Sequence, residues 1–216
     1  CGNPVRSKVE GLIEEALPTL IGPAKSYQVT VSGSTLGMLK GKLRTTRIQG
    51  RDVRFPSGIT VAELVVESRR IQIDKHKHQI SSVESTSYSA LLAQDALNQY
   101  LHETYRQVPE LNTQTAEGLL SVSAAPEVAG VRVNIKADTA LKIKDNRYLI
   151  LDLKKIRVAG VGTPAFAREY LESKINPVFD SASFGYDAKM DRISIGPNGV
   201  KIEGTLDLEE QLNVEG

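Results

Sequence analysis

The sequence predicts an α+β fold in which a long, strongly curved antiparallel sheet wraps around amphipathic helices. Three observations carry this. Apolar alternation runs through stretches of about ten to fifteen residues, well beyond the usual strand of about five or six. Within these stretches the alternation changes phase, the mark of bulges that bend a strand. Three helical segments each carry one apolar face that must be buried, and they fall only between hairpin-linked strand blocks, which argues against a doubly wound α/β sheet.

The first helix is predicted over Pro4 to Leu20. Val5, Val9, Leu12, Ile13, Ala16, Leu17 and Leu20 share one face, while Lys8, Glu10, Glu14 and Glu15 lie mostly opposite. Gly22-Pro23 ends it. Gln28 to Ser32 alternates through Val29 and Val31, and Gly41 to Phe55 reads as a long strand with a bulge near Gly50. Pro56-Ser57-Gly58 turns the chain into a second long run, Ile59 to Ile73, with Leu64 and Val66 on one face and Ile71 and Ile73 on the other, so this strand is expected to change phase as well. A second helix is expected from Ser89 to Tyr105, with a stripe through Leu92, Ala93, Ala96, Leu97, Tyr100 and Leu101. Val131, Val133, Ile135, Leu141 and Ile143 then lead to a turn at Asp145-Asn146. The return strand carries Leu149, Leu151 and Leu153 and, after another phase shift, Ile156 and Val158. Thr163 as N-cap and Pro164 in the first turn open a third helix through Phe166, Ala167, Tyr170, Leu171, Ile175 and Val178. A last hairpin pairs Arg192 to Ile195 with Val200 to Leu208 across Pro197-Asn198-Gly199. Residues 4–208 are expected to form a single domain, preceded by a short tether (1–3) and followed by an acidic tail (209–216).

Composition excludes several classes. The 216 residues are 40 % apolar and 25 % charged, and 27 basic against 26 acidic side chains leave a net charge of +1, too little for a long-range field that would hold nucleic acid. A chain of this length buries a core without disulfides, and its single cysteine could not form one internally. That cysteine is residue 1 of a chain that does not open on Met. It is expected to be the acylated first residue of a mature bacterial lipoprotein, left when a signal peptide is removed, which would hold the body outside the cytoplasm on the membrane. A free thiol at the chain start is the alternative.

Signals for chemistry are weak. Gly160 to Ala165 matches a relaxed dinucleotide fingerprint, but the preceding strand carries Lys154, Lys155 and Arg157, unlike a strand buried on both faces, and Thr163-Pro164 already explains the loop as a helix start. Asp74, His76 and His78 share a strand face, yet neighbouring lysines and the lack of a fourth ligand favour a polar strand end, so no metal is assigned. No nucleophile elbow occurs, His102 has no serine partner nearby, and Glu14-Glu15 and Glu209-Glu210 read as solvated surface. No residue is assigned to catalysis and no cofactor is expected; the chain is expected not to be an enzyme.

The block Tyr27 to Ser34, followed by Leu36 to Gly41, Ile48 to Val53 and Gly58 to Val61, resembles the LmeA-like phospholipid-binding family of bacterial envelope proteins. The later order of helix, long strands, helix and hairpin is similar as well. The resemblance implies an exported, phospholipid-binding body with a fold similar to tubular lipid-binding proteins, and it supplies no residue-level site. From the helical faces, Leu92, Leu97, Tyr100 and Leu101 on the second helix and Phe166, Tyr170, Leu171 and Ile175 on the third are the candidates for an acyl-chain wall. Arg69, Arg70, Lys75 and Lys77 are candidates for headgroup contact. Leu36, Met38, Leu39 and Lys40 form an apolar loop that either plugs the end of the sheet or meets a bilayer. A filled core with a structural or protein-binding role is the competing expectation.

Overall fold

The computed structural model describes residues 3–74, 79–160, 162–184 and 187–207. The class is α+β, rich in antiparallel sheet. Its contacts divide into two compact units: residues 1–90, 181–189 and 203–216 form the first, and residues 91–180 and 190–202 the second. The predicted body of residues 4–208 thus contains two centres of packing, between which the chain passes four times.

In the first unit, α1 (Pro4–Leu20) has the predicted bounds. Asn3, expected in the tether, is its N-cap, and its Oδ1 accepts from the Val5 N–H at 3.0 Å. The strands β1 (Ser26–Ser32), β2 (Lys42–Arg54), β3 (Thr60–Asp74) and β4 (Gln79–Ser82) pair antiparallel in sequence order. β5 (Ser85–Ala93) continues this sheet beside β3, followed by β14 (Gly199–Asp207) and β13 (Asp187–Gly196); residues 91–93, 190–196 and 199–202 of these three strands belong to the second unit. The long strands do change phase. On β2 the buried positions run Leu43, Thr46, Gly50 and Val53, and on β3 they run Val61, Leu64, Val66, Ser68 and Ile71. The shifts fall at Asp52 and Arg70, both at φ +49°, a conformation costly for residues with a Cβ. The first lies two residues beyond the predicted bulge at Gly50. Because Arg70 absorbs the shift, Leu64, Val66 and Ile71 all reach the interior.

The core of this unit gathers Leu17, Val29, Val31, Met38, Leu43, Ile71 and Val83. One polar line crosses the buried face: Thr46 lies opposite Ser68, whose hydroxyl meets that of Thr86 at 3.0 Å. The Thr46 hydroxyl is buried without a hydrogen-bond partner. Between β1 and β2, the expected loop is a short helix, α2 (Thr35–Leu39), capped by Ser34.

In the second unit, α3 is Gln94–Thr104, five residues shorter at its start than predicted. Thr86, Tyr88, Ala90 and Leu92 alternate inward on β5, so Leu92 belongs to a strand and not to the helix. Two strands that the sequence reading passes over follow, β6 (Asn112–Ala116) and β7 (Leu119–Ala124). A small ribbon of β8 (Glu127–Val128) and β9 (Val131–Arg132) separates Val131 from β10 (Asn134–Lys144). β11 (Tyr148–Ala159) returns from the predicted turn with a bulge at Lys154, where Asp138 pairs with Lys155 but Thr139 pairs with Leu153. α4 (Pro164–Ile175) has the predicted Thr163 cap and ends before Val178, and β12 (Phe179–Asp180) closes the sheet, whose order is β12-β11-β10-β7-β6.

One motif occurs in both units. β1 and β6 are edge strands, whose outward N–H groups need partners. On α1, Glu14 Oε1 accepts from Val29 N–H at 2.8 Å and Glu10 Oε1 from Val31 N–H at 3.0 Å. On α3, Asn98 Oδ1 accepts from Thr113 N–H at 2.7 Å and Gln94 Oε1 from Thr115 N–H at 2.9 Å. Donor and acceptor lie 15 and 21 residues apart in both cases. All four pairs of equivalents, Glu10/Gln94, Glu14/Asn98, Val29/Thr113 and Val31/Thr115, share an offset of 84. The offset extends to buried Leu17 and Leu101, whose carbonyls accept from the C-cap N–H groups of Ile21 and Tyr105, each at 2.8 Å. Glu10 and Glu14 are therefore edge-strand acceptors, not the solvated charges their place opposite the apolar stripe suggests.

Candidate functional site

The second unit contains an internal apolar void. α3 packs on β6 and α4 on β11, and the helical spacing of Leu97 with Leu101, and of Ala167, Leu171 and Ile175, turns each apolar stripe inward. Leu97, Leu101, Leu111, Leu120, Val122, Leu141, Leu149, Leu151 and Ile175 surround the void together with Leu92, Val178 and Val200. Thr113 contributes the one hydroxyl of the lining, and Asn98 occupies it at 2.7 Å. The void measures about 20 Å³, room for about one water molecule and far too little for an acyl chain. As it stands, this seam is a closed aliphatic core.

Two asparagines hold the helices to the strands. Asn98 accepts from the N–H and hydroxyl of Thr113 and donates to its carbonyl at 3.0 Å. Beyond α4, Asn176 Oδ1 accepts from Leu151 N–H at 2.8 Å, and its Nδ2 donates to the Leu151 carbonyl at 3.2 Å. Each amide side chain thus serves the exposed edge of a strand as a further strand would.

Of the eight predicted wall residues, Leu92, Leu97, Leu101 and Ile175 line the void. Leu171 is fully buried elsewhere in the core. Tyr100, Phe166 and Tyr170 are half-buried and lie away from the void. Tyr100 stacks edge-on with Phe179 at 6.3 Å, and Phe166 tilts over Tyr170 at 6.0 Å. Burial raises the hydroxyl pKa of Tyr100 and of Tyr170. Leu111, just before β6, and the strand residues Leu120, Val122 and Leu149 were not predicted as wall, although alternation along residues 119–124 marks one buried face.

Tyr105 sits just past α3 and donates to the carbonyls of Pro177 and Val178 at 2.7 and 2.9 Å. Burial first, then repulsion from Tyr100, pushes its pKa up to about 12. On the opposite strand surface, hydrogen bonds from Lys142 and Lys154 hold the Asp152 carboxyl down at about 2. Outside the core, an open groove of about 670 Å³ runs beside α4 between Ile156, Pro164, Arg168, Glu172 and Ser173.

The predicted polar positions divide. Arg69 is exposed, and Arg70 pairs with Glu84 at 3.0 Å while staying accessible. Cys1, Lys75, His76, Lys77 and His78 lie outside the described residues. On α2, Leu36, Leu39 and Lys40 are exposed, but Met38 is buried in the core of the first unit, so it is not a membrane contact. The loop with the nucleotide-like glycines joins the antiparallel strand β11 to α4. Among the described residues no group of three or more His, Cys, Asp or Glu is placed to hold a metal, and no helix is long and apolar enough to cross a membrane.

The family described as LmeA-like phospholipid-binding matches residues 3–205. No match is found among curated proteins or among solved structures.

Proposed function

The chain belongs to the LmeA-like phospholipid-binding family, and from this premise we propose that it holds phospholipid non-covalently, admitting an acyl chain into the aliphatic seam between α3, α4 and the five-stranded sheet. The observation that carries this reading is the lining: twelve of its thirteen side chains are aliphatic, and the single hydroxyl is already paired. Burial of each methylene favours binding by about 0.8 kcal/mol. Because the void has room for only about one water, entry requires the lining side chains to part, and the Asn98 and Asn176 bonds are the polar contacts that such an opening strains. In this reading a curved sheet around its helices, as in tubular lipid-binding proteins, is the container. The role is non-catalytic: lipid transfer or maintenance of the envelope. We further propose that Cys1 carries the acyl anchor of an extracytoplasmic lipoprotein.

Native mass spectrometry with lipid extraction tests the binding. Co-purified phospholipid, or uptake from vesicles, is the expected result. Absence of both overturns it. The second reading, a structural or protein-binding lipoprotein with a filled core, is favoured by the size of the void and gains from that negative result.

A further inference from the structure

We infer that α2 and the start of β2 form a docking surface for an anionic phospholipid bilayer. The shape of α2 makes the first argument. Its Met38 is anchored in the core of the first unit at 3 % exposure, whereas Leu36 and Leu39 are 63 % and 51 % exposed. The leucines are therefore presented on a fixed support. The Ser34 cap holds one end, its Oγ accepting from Gly37 N–H at 3.0 Å, and at the other end the Gly41 carbonyl accepts from Ile73 N–H at 2.8 Å. Gly41 has φ +75°, and a Cβ there would run into the Ile73 carbonyl oxygen, so only glycine brings the strand this close.

Charge makes the second argument. Residues 16–51 contain no Asp or Glu but hold Lys25, Lys40, Lys42, Arg44, Arg47 and Arg51, a local excess of six in a chain whose total is +1. Arg47 is engaged by Glu67; Lys40, Lys42 and Arg44 stand exposed beside α2 and make no ion pair among the described residues. The carboxylate nearest along the strand ladder is Asp74, at the end of β3. Exposed leucines flanked by unpaired cations match a bilayer, with apolar chains below and phosphate above. The third argument is connectivity. Asn3 Nδ2 donates to Thr35 Oγ1 at 2.8 Å, so the chain enters the structure beside α2. An acyl group on Cys1 would be tethered two residues away, within roughly 7 Å of extended chain, and would reach the same leaflet.

The proposal takes its choice of probe from the phospholipid reading and its third argument from the anchor proposed at Cys1; the leucine and charge observations stand without either. The test is flotation of the full chain, unacylated, with phosphatidylcholine vesicles that contain or lack phosphatidylglycerol. Wild type is expected to float with the anionic vesicles and to be released by salt. Leu36→Asp with Leu39→Asp is expected to lower partitioning tenfold or more. Lys40→Glu with Lys42→Glu lowers it by about 30-fold or more at low salt, from roughly 1 kcal/mol per lysine. Leu12→Asp, on α1 and 59 % exposed, leaves it unchanged. The chain has no Trp, so Leu36→Trp reports insertion directly by a blue shift and quenching by brominated lipid, with Leu12→Trp silent. Wild-type binding retained by the double Asp variant, or no response from Leu36→Trp, overturns the docking surface. Lipid adducts in native mass spectra score the seam independently: they persist in the double Asp variant if both readings hold, and their loss from wild type with flotation intact removes the seam alone.

Discussion

Replacing Asn98 by Leu removes an edge-strand acceptor while keeping the side chain close in size. Three hydrogen bonds disappear, two at 2.7 Å and one at 3.0 Å, all to Thr113, which is 1 % exposed. The Thr113 hydroxyl can turn towards another acceptor, but its N–H and carbonyl cannot. Each buried backbone group left unmade costs about 1–3 kcal/mol, so the variant should lose about 3 kcal/mol. For a chain of this size that is a fall in Tm of about 6–12 °C by scanning calorimetry. Asn98→Asp keeps the acceptor oxygen but turns a carboxylate oxygen towards the Thr113 carbonyl, so it should cost about 1–2 kcal/mol, less than Asn98→Leu. The reasoning fails if Asn98→Leu stays within about 1 kcal/mol of wild type, or if Asn98→Asp is as damaging, since either result means that the edge is satisfied by other means.

The equivalent position in the first unit predicts a contrast: Glu14→Gln should be nearly neutral, because Gln94 serves in the same geometry, whereas Glu14→Leu should lose about 1–2 kcal/mol in urea titrations. Thr46→Val removes a buried hydroxyl that has no partner and should raise stability by about 1 kcal/mol, a gain that thermal melts will reveal or deny. The folded pKa of Tyr105, about 12, lies above its ordinary value of 10. Its contribution is thus fully present below pH 10 and is lost as pH rises towards 12. Tyr105→Phe should start less stable at neutral pH and lose less between pH 10 and 12; an unchanged alkaline slope in urea midpoints would contradict this.

What could be read in advance follows from how distinctive each local pattern is. α1 was legible to the residue because its apolar stripe runs from Val5 to Leu20 and Gly22-Pro23 stops it, although its Asn3 cap reads as tether. α3 was misplaced because Leu92, Ala93, Ala96 and Leu97 fit a helical face, while strand β5 claimed the first two through Tyr88 and Ala90. β6 was missed because an edge strand with one solvated face needs few apolar residues, and Asn112 to Ala116 has only the alanine. The closing acceptors were hidden for a related reason: on a helix, Glu10 and Glu14 have the spacing of any solvated pair until a strand edge is laid beside them. The lining of the void was half legible. Helical stripes led to Leu97, Leu101 and Ile175, but the contribution of Leu120 and Leu149 depends on which strand face turns inward across a sheet.

The repeated clamp also bears on the order in which the chain folds. Each helix finds its strand within 15 to 21 residues, so the loop that must close is short and its entropy cost small. The pairing of β5 with β14 instead joins segments more than a hundred residues apart. The two helix–strand corners are thus suited to form early and independently, one at the head of each unit, while β13 and β14 arrive last. Substitutions at Glu14 and Asn98 should then slow refolding, whereas substitutions along β14 should mainly hasten unfolding.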